Sequence, residues 1–181
     1  MTEFSRLYRL EALSGEPLRV QIEAGPEERE ALARRFGLPG VQALAAEAEL
    51  KRSGESASAV GTLRAKVVQS CVASGEPVEA EVTEDFQVDF RPSPAESKPD
   101  DEIELGEGEL DVVFYEGGAI DLGEAVAQGL LLGLDPYPRS PAAEAALRDA
   151  GVKSEEEARI ESSPFAALAA LKDKLGEGGA K

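Results

Sequence analysis

The side chain best suited to nucleophilic chemistry is Cys71, and nothing in its sequence neighbourhood activates it. A thiol becomes an effective nucleophile where a base or a positive charge lowers its pKa. The chain has one cysteine and no histidine, so Cys71 has no disulfide partner within the chain and no Cys or His to share a metal with. It reads as a structural residue at a strand end. The lack of histidine also removes the commonest general base and the usual triad partner. Carboxylate pairs such as Glu27 with Glu28 and Asp100 with Asp101 have the residue type for acid–base work. Among 36 acidic residues, however, neighbouring acids are expected on solvated surface. Gly106-Glu107-Gly108 and Gly117-Gly118 lack both the lysine of a phosphate loop and the fingerprint of a dinucleotide site, and read as turns. No catalytic, metal or cofactor constellation remains. The expectation is a non-enzymatic protein that binds macromolecules and has no small-molecule substrate.

Charge narrows the choice of partner. With 19 basic and 36 acidic residues the formal net charge is −17, which on average repels phosphate. The excess serves solubility, or it attracts a basic protein. RNA contact would need a local basic patch, for which Arg34 and Arg35 with Arg64 and Lys66 are the candidates. Ordinary surface ion pairs are the competing reading of those four residues. Residues Met1 to Arg6 lack the pattern of a signal peptide, and no apolar run approaches the ~18 residues of a membrane span. A soluble, cytoplasmic protein follows as the expectation.

Hydrophobic residues make up 42% and aromatics 5%, with no tryptophan, so the core must rely on Leu, Val and Ala. Phe4 to Ile22 predicts two short strands around the Ser14–Pro17 turn. Pro26 to Phe36 predicts a helix, with Pro26 at its first position, acids beside it and Gly37 at its end. Residues 41–51 combine Ala and Glu, which favour helix, with the alternation of a half-buried strand, and are read as strand. Alternation over Leu63 to Val67 and on even numbers from Val78 to Phe90 predicts strands with one buried face. Residues 91–102, with three prolines, read as a mobile acidic loop. Leu110 to Tyr115 predicts a strand. Asp121 to Glu124 resembles a capping box opening a helix through Leu134 that is buried on more than one side. Further helices are expected at Pro141–Ala150 and from Ser163 to near Gly176. The expected fold is α+β: an antiparallel sheet of about five or six strands with two main helices. Residues 1–139 form the core domain, and 140–181 an Ala- and Glu-rich helical extension.

Two segments stand out as partner sites. Tyr137 and Arg139 sit in the turn after the long helix, where loop residues on a rigid scaffold often act. Phe165, Leu168, Leu171 and Leu175 form one stripe of the last helix, with Lys172 beside it. That stripe would dock on its own domain or enter a partner's groove.

Three patterns carry a resemblance: Val68-Gln69-Ser70-Cys71 with Glu76-Pro77-Val78; Gly118 to Glu124 running to Leu134-Asp135-Pro136-Tyr137-Pro138-Arg139; and Ser163 to Lys172. Glu3-Phe4-Ser5-Arg6 and Glu28 to Leu38 agree with them. In order and spacing the chain resembles the YceD family of large ribosomal RNA subunit accumulation proteins, especially its alphaproteobacterial branch. The resemblance implies a factor supporting accumulation of 23S ribosomal RNA and the large subunit, without established enzymatic activity. Its direct partner would be large-subunit RNA or, in the alternative, basic ribosomal proteins held by an acidic chaperone. Many family members have Cys-x-x-Cys where this chain has Val68 to Cys71, and some have His and Cys where Ser140-Pro141-Ala142 stands, spacings able to hold zinc. Here the partners of Cys71 are missing, so a zinc-dependent role does not transfer.

Overall fold

The period of two in the middle of the sequence builds the sheet. In the computed structural model, which describes residues 3–13, 15–93, 111–153 and 159, β2 (Leu18–Glu23), β3 (Gly40–Ser53), β4 (Ser56–Ser70) and β5 (Pro77–Pro92) pair antiparallel in that order. The register sets Ile22 beside Ala46, Ala46 beside Leu63, Ala65 beside Val82 and Ala59 beside Val88. All of these are buried, whereas their neighbours Glu47, Arg64, Lys66 and Glu81 are exposed. One face is therefore core and the other polar, as an antiparallel sheet permits. A fifth strand, β6 (Asp111–Tyr115), joins the end of β5 in parallel. The Tyr115 hydroxyl donates to the Glu55 carbonyl in the β3–β4 turn. A separate ribbon pairs β1 (Leu7–Arg9) with β7 (Ala119–Asp121).

Both main helices pack on the core face. Helix α1 (Pro26–Phe36) buries Leu32 and Ala33. Its start is satisfied by the Glu28 carboxylate, which accepts the Gly25 N–H at 2.7 Å, and Gly37 closes it with φ 66°, the left-handed conformation that favours glycine. Helix α2 (Leu122–Leu132) buries Leu122, Ala125, Val126, Ala127 and Leu130. The core face of the sheet carries small residues, among them Ala46, Ala48, Ala57, Ala59 and Ala65, all buried.

The N-terminal segment completes this core. Phe4 is fully buried, a contribution of about 1.5–3 kcal/mol for a side chain of its class. The Arg6 carbonyl accepts the Leu122 N–H at 3.0 Å. Contact this close requires a glycine at the second residue of α2: a Cβ on Gly123 would lie 2.7 Å from the Phe4 carbonyl oxygen and 2.8 Å from the Arg6 nitrogen.

The chain forms two compact units, Met1–Ser70 with Pro77–Pro138, and Cys71–Glu76 with the chain from Arg139 onward. In the second, the turn closes through Cys71 N–H to Glu76 O at 2.8 Å and Gly75 N–H to Cys71 O at 2.9 Å. Helix α3 (Ala143–Asp149) follows Ser140.

The α+β class, the α1 boundaries and the strands over 41–51, 63–67 and 78–90 agree with expectation. Several details differ. The two N-terminal strands belong to different sheets, with a 3-10 turn over Leu10–Leu13 between them. The β5–β6 pairing is parallel. Arg91 and Pro92 end β5, where Pro92 is tolerated because it stands at the strand's last position. The rest of the expected loop, residues 94–102, lies outside the described residues, as does the expected helix from Ser163. Helix α2 is less enclosed than its leucines suggested: Leu131 and Leu132 are 47% and 78% exposed. Among the described residues no helix is long and apolar enough to cross a membrane.

The close approach at Gly123 sets a test. Gly123→Ala should lower unfolding stability by roughly 1–3 kcal/mol, the usual cost of forcing added atoms into a packed contact. Gly40→Ala meets nothing within 4 Å and should change stability by less than about 0.5 kcal/mol. Urea unfolding of both variants checks the pair; equal effects would refute the steric account.

Candidate interaction surfaces

Charged side chains tie the N-terminal segment to the two main helices. Arg6 forms a two-pronged pair with Glu28 at 2.7 and 2.9 Å, and its guanidinium also lies 4.6 Å from the centre of the Phe4 ring. Arg35 makes the corresponding pair with Glu124 at 2.8 and 2.6 Å and reaches Glu3 at 3.0 Å. The bond from Arg6 holds the Glu28 carboxyl below its ordinary pKa. The bond from Arg35 does the same for Glu124, with Gln128 adding to it. Such forked pairs have more directional strength than a simple surface contact. Asp121 anchors the centre, accepting from the Ser5 hydroxyl at 2.6 Å, the Arg6 N–H at 2.8 Å and the Glu124 N–H at 3.2 Å. It is thus half of the expected capping box. The Glu124 side chain, the expected other half, turns to Arg35.

The four basic RNA-contact candidates do not come together. Arg34 and Arg35 ride on α1, on the core side of the sheet. Arg34 is exposed and 4.0 Å from Glu30, while Arg35 is held by Glu3 and Glu124. Arg64 and Lys66 project from the central strand β4 on the opposite face, which no element among the described residues covers. Lys66 pairs with Glu81 at 2.8 Å. Arg64 is exposed and has no ion-pair partner among the described residues, with Ala45 and Thr83 beside it across the sheet. The rest of this face carries the acids Glu47, Glu49, Glu79, Glu81 and Asp85, with Arg19 of β2 paired to Glu49 at 3.4 Å.

Tyr137, a candidate for partner contact, is 71% exposed, in a turn where its N–H bonds the Asp135 carboxylate at 2.9 Å. Gln69, which the sequence did not single out for a role, holds that turn from beneath. It is buried on β4 and donates its amide to the Asp135 carbonyl at 2.8 Å. Arg139 is exposed. Phe165, Leu168, Leu171 and Lys172 lie outside the described residues.

Cys71 is buried and in polar company that its sequence neighbours did not reveal. The Ser140 backbone N–H and the Ser74 hydroxyl favour the thiolate, and with the Ser74 N–H at 3.4 Å they lower its pKa to about 6. Backbone and hydroxyl donors, 66 residues apart in the case of Ser74 and Ser140, do here what a neighbouring base does in a reactive-cysteine motif. The donor set does not fit zinc, which takes four Cys, His or carboxylate ligands in structural sites. Among the described residues the carboxylate beside Cys71 is that of Glu76, and its Oε2 already accepts from the Ser140 hydroxyl at 2.8 Å.

The described parts define an α+β protein with a one-sided sheet, its core face closed by two helices and an N-terminal strap. The chain belongs to the YceD family: the family described as "Large ribosomal RNA subunit accumulation protein YceD" matches residues 59–172, more than half of its length. No curated protein and no solved structure matches the chain.

Two pH tests follow. Glu124 is held below its unfolded pKa of about 4.3, so its contribution is present above that value and is lost as pH falls through the lower folded value. Thermal midpoints from pH 6 to 3 should therefore fall less steeply for Glu124→Gln than for the parent, although the variant melts lower at neutral pH. Parallel curves would contradict the Arg35–Glu124 assignment.

For Cys71, thiolate absorbance at 240 nm should titrate with a midpoint near 6, against about 8.5 for a free thiol. Ser74→Ala should move it upward. Any stabilisation from this depressed pKa is fully present above the unfolded value and is lost as pH falls through about 6. A parent midpoint near 8.5 would exclude the arrangement.

Proposed function

We propose that this protein is a non-enzymatic, cytoplasmic ribosome-biogenesis factor that supports accumulation of 23S ribosomal RNA and the large ribosomal subunit. Membership of the YceD family carries this reading. Contact with the nascent particle would use the Tyr137–Arg139 turn and the Phe165, Leu168, Leu171 and Lys172 stripe. RNA contact would fall to Arg34, Arg35, Arg64 and Lys66.

The alternative, in which an acidic protein holds basic ribosomal proteins and the RNA effect is secondary, is favoured by one observation. Arg35 and Lys66 already have carboxylate partners, which together with the net charge of −17 weakens the case for phosphate contact.

Crosslinking in cells followed by sequencing and mass spectrometry separates the two. Predominant crosslinks to 23S RNA favour the RNA reading, and crosslinks to basic ribosomal proteins favour the holdase. In a strain dependent on the supplied gene, Tyr137→Ala with Arg139→Ala should leave the melting temperature within about 2 °C and reduce large-subunit RNA. Normal RNA levels and growth would remove the turn from the proposal. Normal large-subunit levels in a strain lacking the protein altogether would overturn the biogenesis reading itself.

A further inference from the structure

We propose that Cys71, Ser74, Glu76 and Ser140 form a metal-free clasp that closes the second unit, holding the Cys71–Glu76 turn to the residue from which the α3 segment departs. The described part of this unit has little apolar material to hold it. Helix α3 is seven residues long and buries Ala143; a helix that short does not persist in water without tertiary support. What it has in addition is a closed set of polar contacts. Ser140 is 7% exposed and Cys71 3% exposed. A buried hydroxyl is costly unless bonded; the Ser140 hydroxyl donates to Glu76 Oε2 at 2.8 Å, and its oxygen lies 3.1 Å from Ser74 Oγ as an acceptor.

Ser74 closes the ring: its one hydroxyl proton serves Ser140 Oγ or Glu76 Oε2, 3.2 Å away, its Oγ accepts the Glu76 N–H at 3.3 Å, and its own N–H meets the Cys71 sulfur at 3.4 Å. The Cys71–Glu76 backbone bond of 2.8 Å and Gly75, at φ 73°, shape the turn so that the sulfur, carboxylate and hydroxyl converge. Glu76 Oε2, Ser74 Oγ and the Cys71 sulfur each meet an O–H or N–H group. The clasp is therefore complete without an ion, in contrast to the zinc-capable spacing that the family resemblance raised for these same positions.

Hydrogen exchange on the full-length protein tests this, with and without EDTA, alongside native mass spectrometry. Ser140→Ala and Glu76→Gln should each speed exchange over residues 71–76 and 143–149 about tenfold, the scale of one buried hydrogen bond. Exchange in β3 and β4 should stay unchanged, as should the parent's pattern in EDTA. Unchanged exchange in both variants would overturn the clasp, as would acceleration spread equally over β3 and β4. A stoichiometric bound metal, with EDTA loosening residues 71–76 and 143–149, would overturn its metal-free character.

Discussion

The seating of Phe4–Arg6 against the first turn of α2 is the contact on which the arrangement of the helices rests. It has a steric half, the missing side chain of Gly123, and a polar half, the Asp121 carboxylate that receives Ser5, Arg6 and the helix's own Glu124 N–H. Because Asp121 caps the helix alone, the Glu124 side chain is free to meet Arg35 and so to reach α1. Arg6 reaches α1 independently through Glu28. A short terminal stretch thereby braces two helices that also meet directly through Arg35 and Glu124.

The composition of the core follows from the same geometry. With few aromatics available, the molecule fills its interior by closeness rather than bulk: alanines line the sheet, and glycines at 129 and 133 let α2 approach. An added Cβ at Gly133 would come within 2.7 Å of Glu84 and 3.0 Å of Val82. Tight contact between small groups recovers dispersion energy that larger side chains would otherwise supply. It also leaves little tolerance for enlargement at those points.

Much of this was legible in the sequence. The strands of β3 to β5 and the bounds of α1 were readable because their signals are local: alternation, a first-turn proline and a terminal glycine. What could not be read depended on pairs distant along the chain. Gly123 reads as part of helix initiation until Phe4 is placed beside it. Arg35 looks like a free cation until Glu124 arrives from another element. Nothing near Cys71 in sequence announces the Ser140 N–H, and nothing near Gln69 announces the Asp135 carbonyl. Leu131 and Leu132 mislead in the opposite sense, since an apolar run marks a buried helix only when enough neighbours surround it. The candidate binding residues were chosen by type, and their scatter over both faces of the sheet reflects spatial information that residue type does not contain.

The parallel pairing of β5 with β6 places a demand on the chain between them. Two consecutive strands that run the same way cannot be joined by a tight turn; the polypeptide must first travel back to the level of Val88, where β6 begins beside it. Connections of this kind take roughly a dozen residues or more. Val113 and Tyr115, which β6 packs against the core, therefore depend on a crossover and not on a hairpin for their place in the sheet.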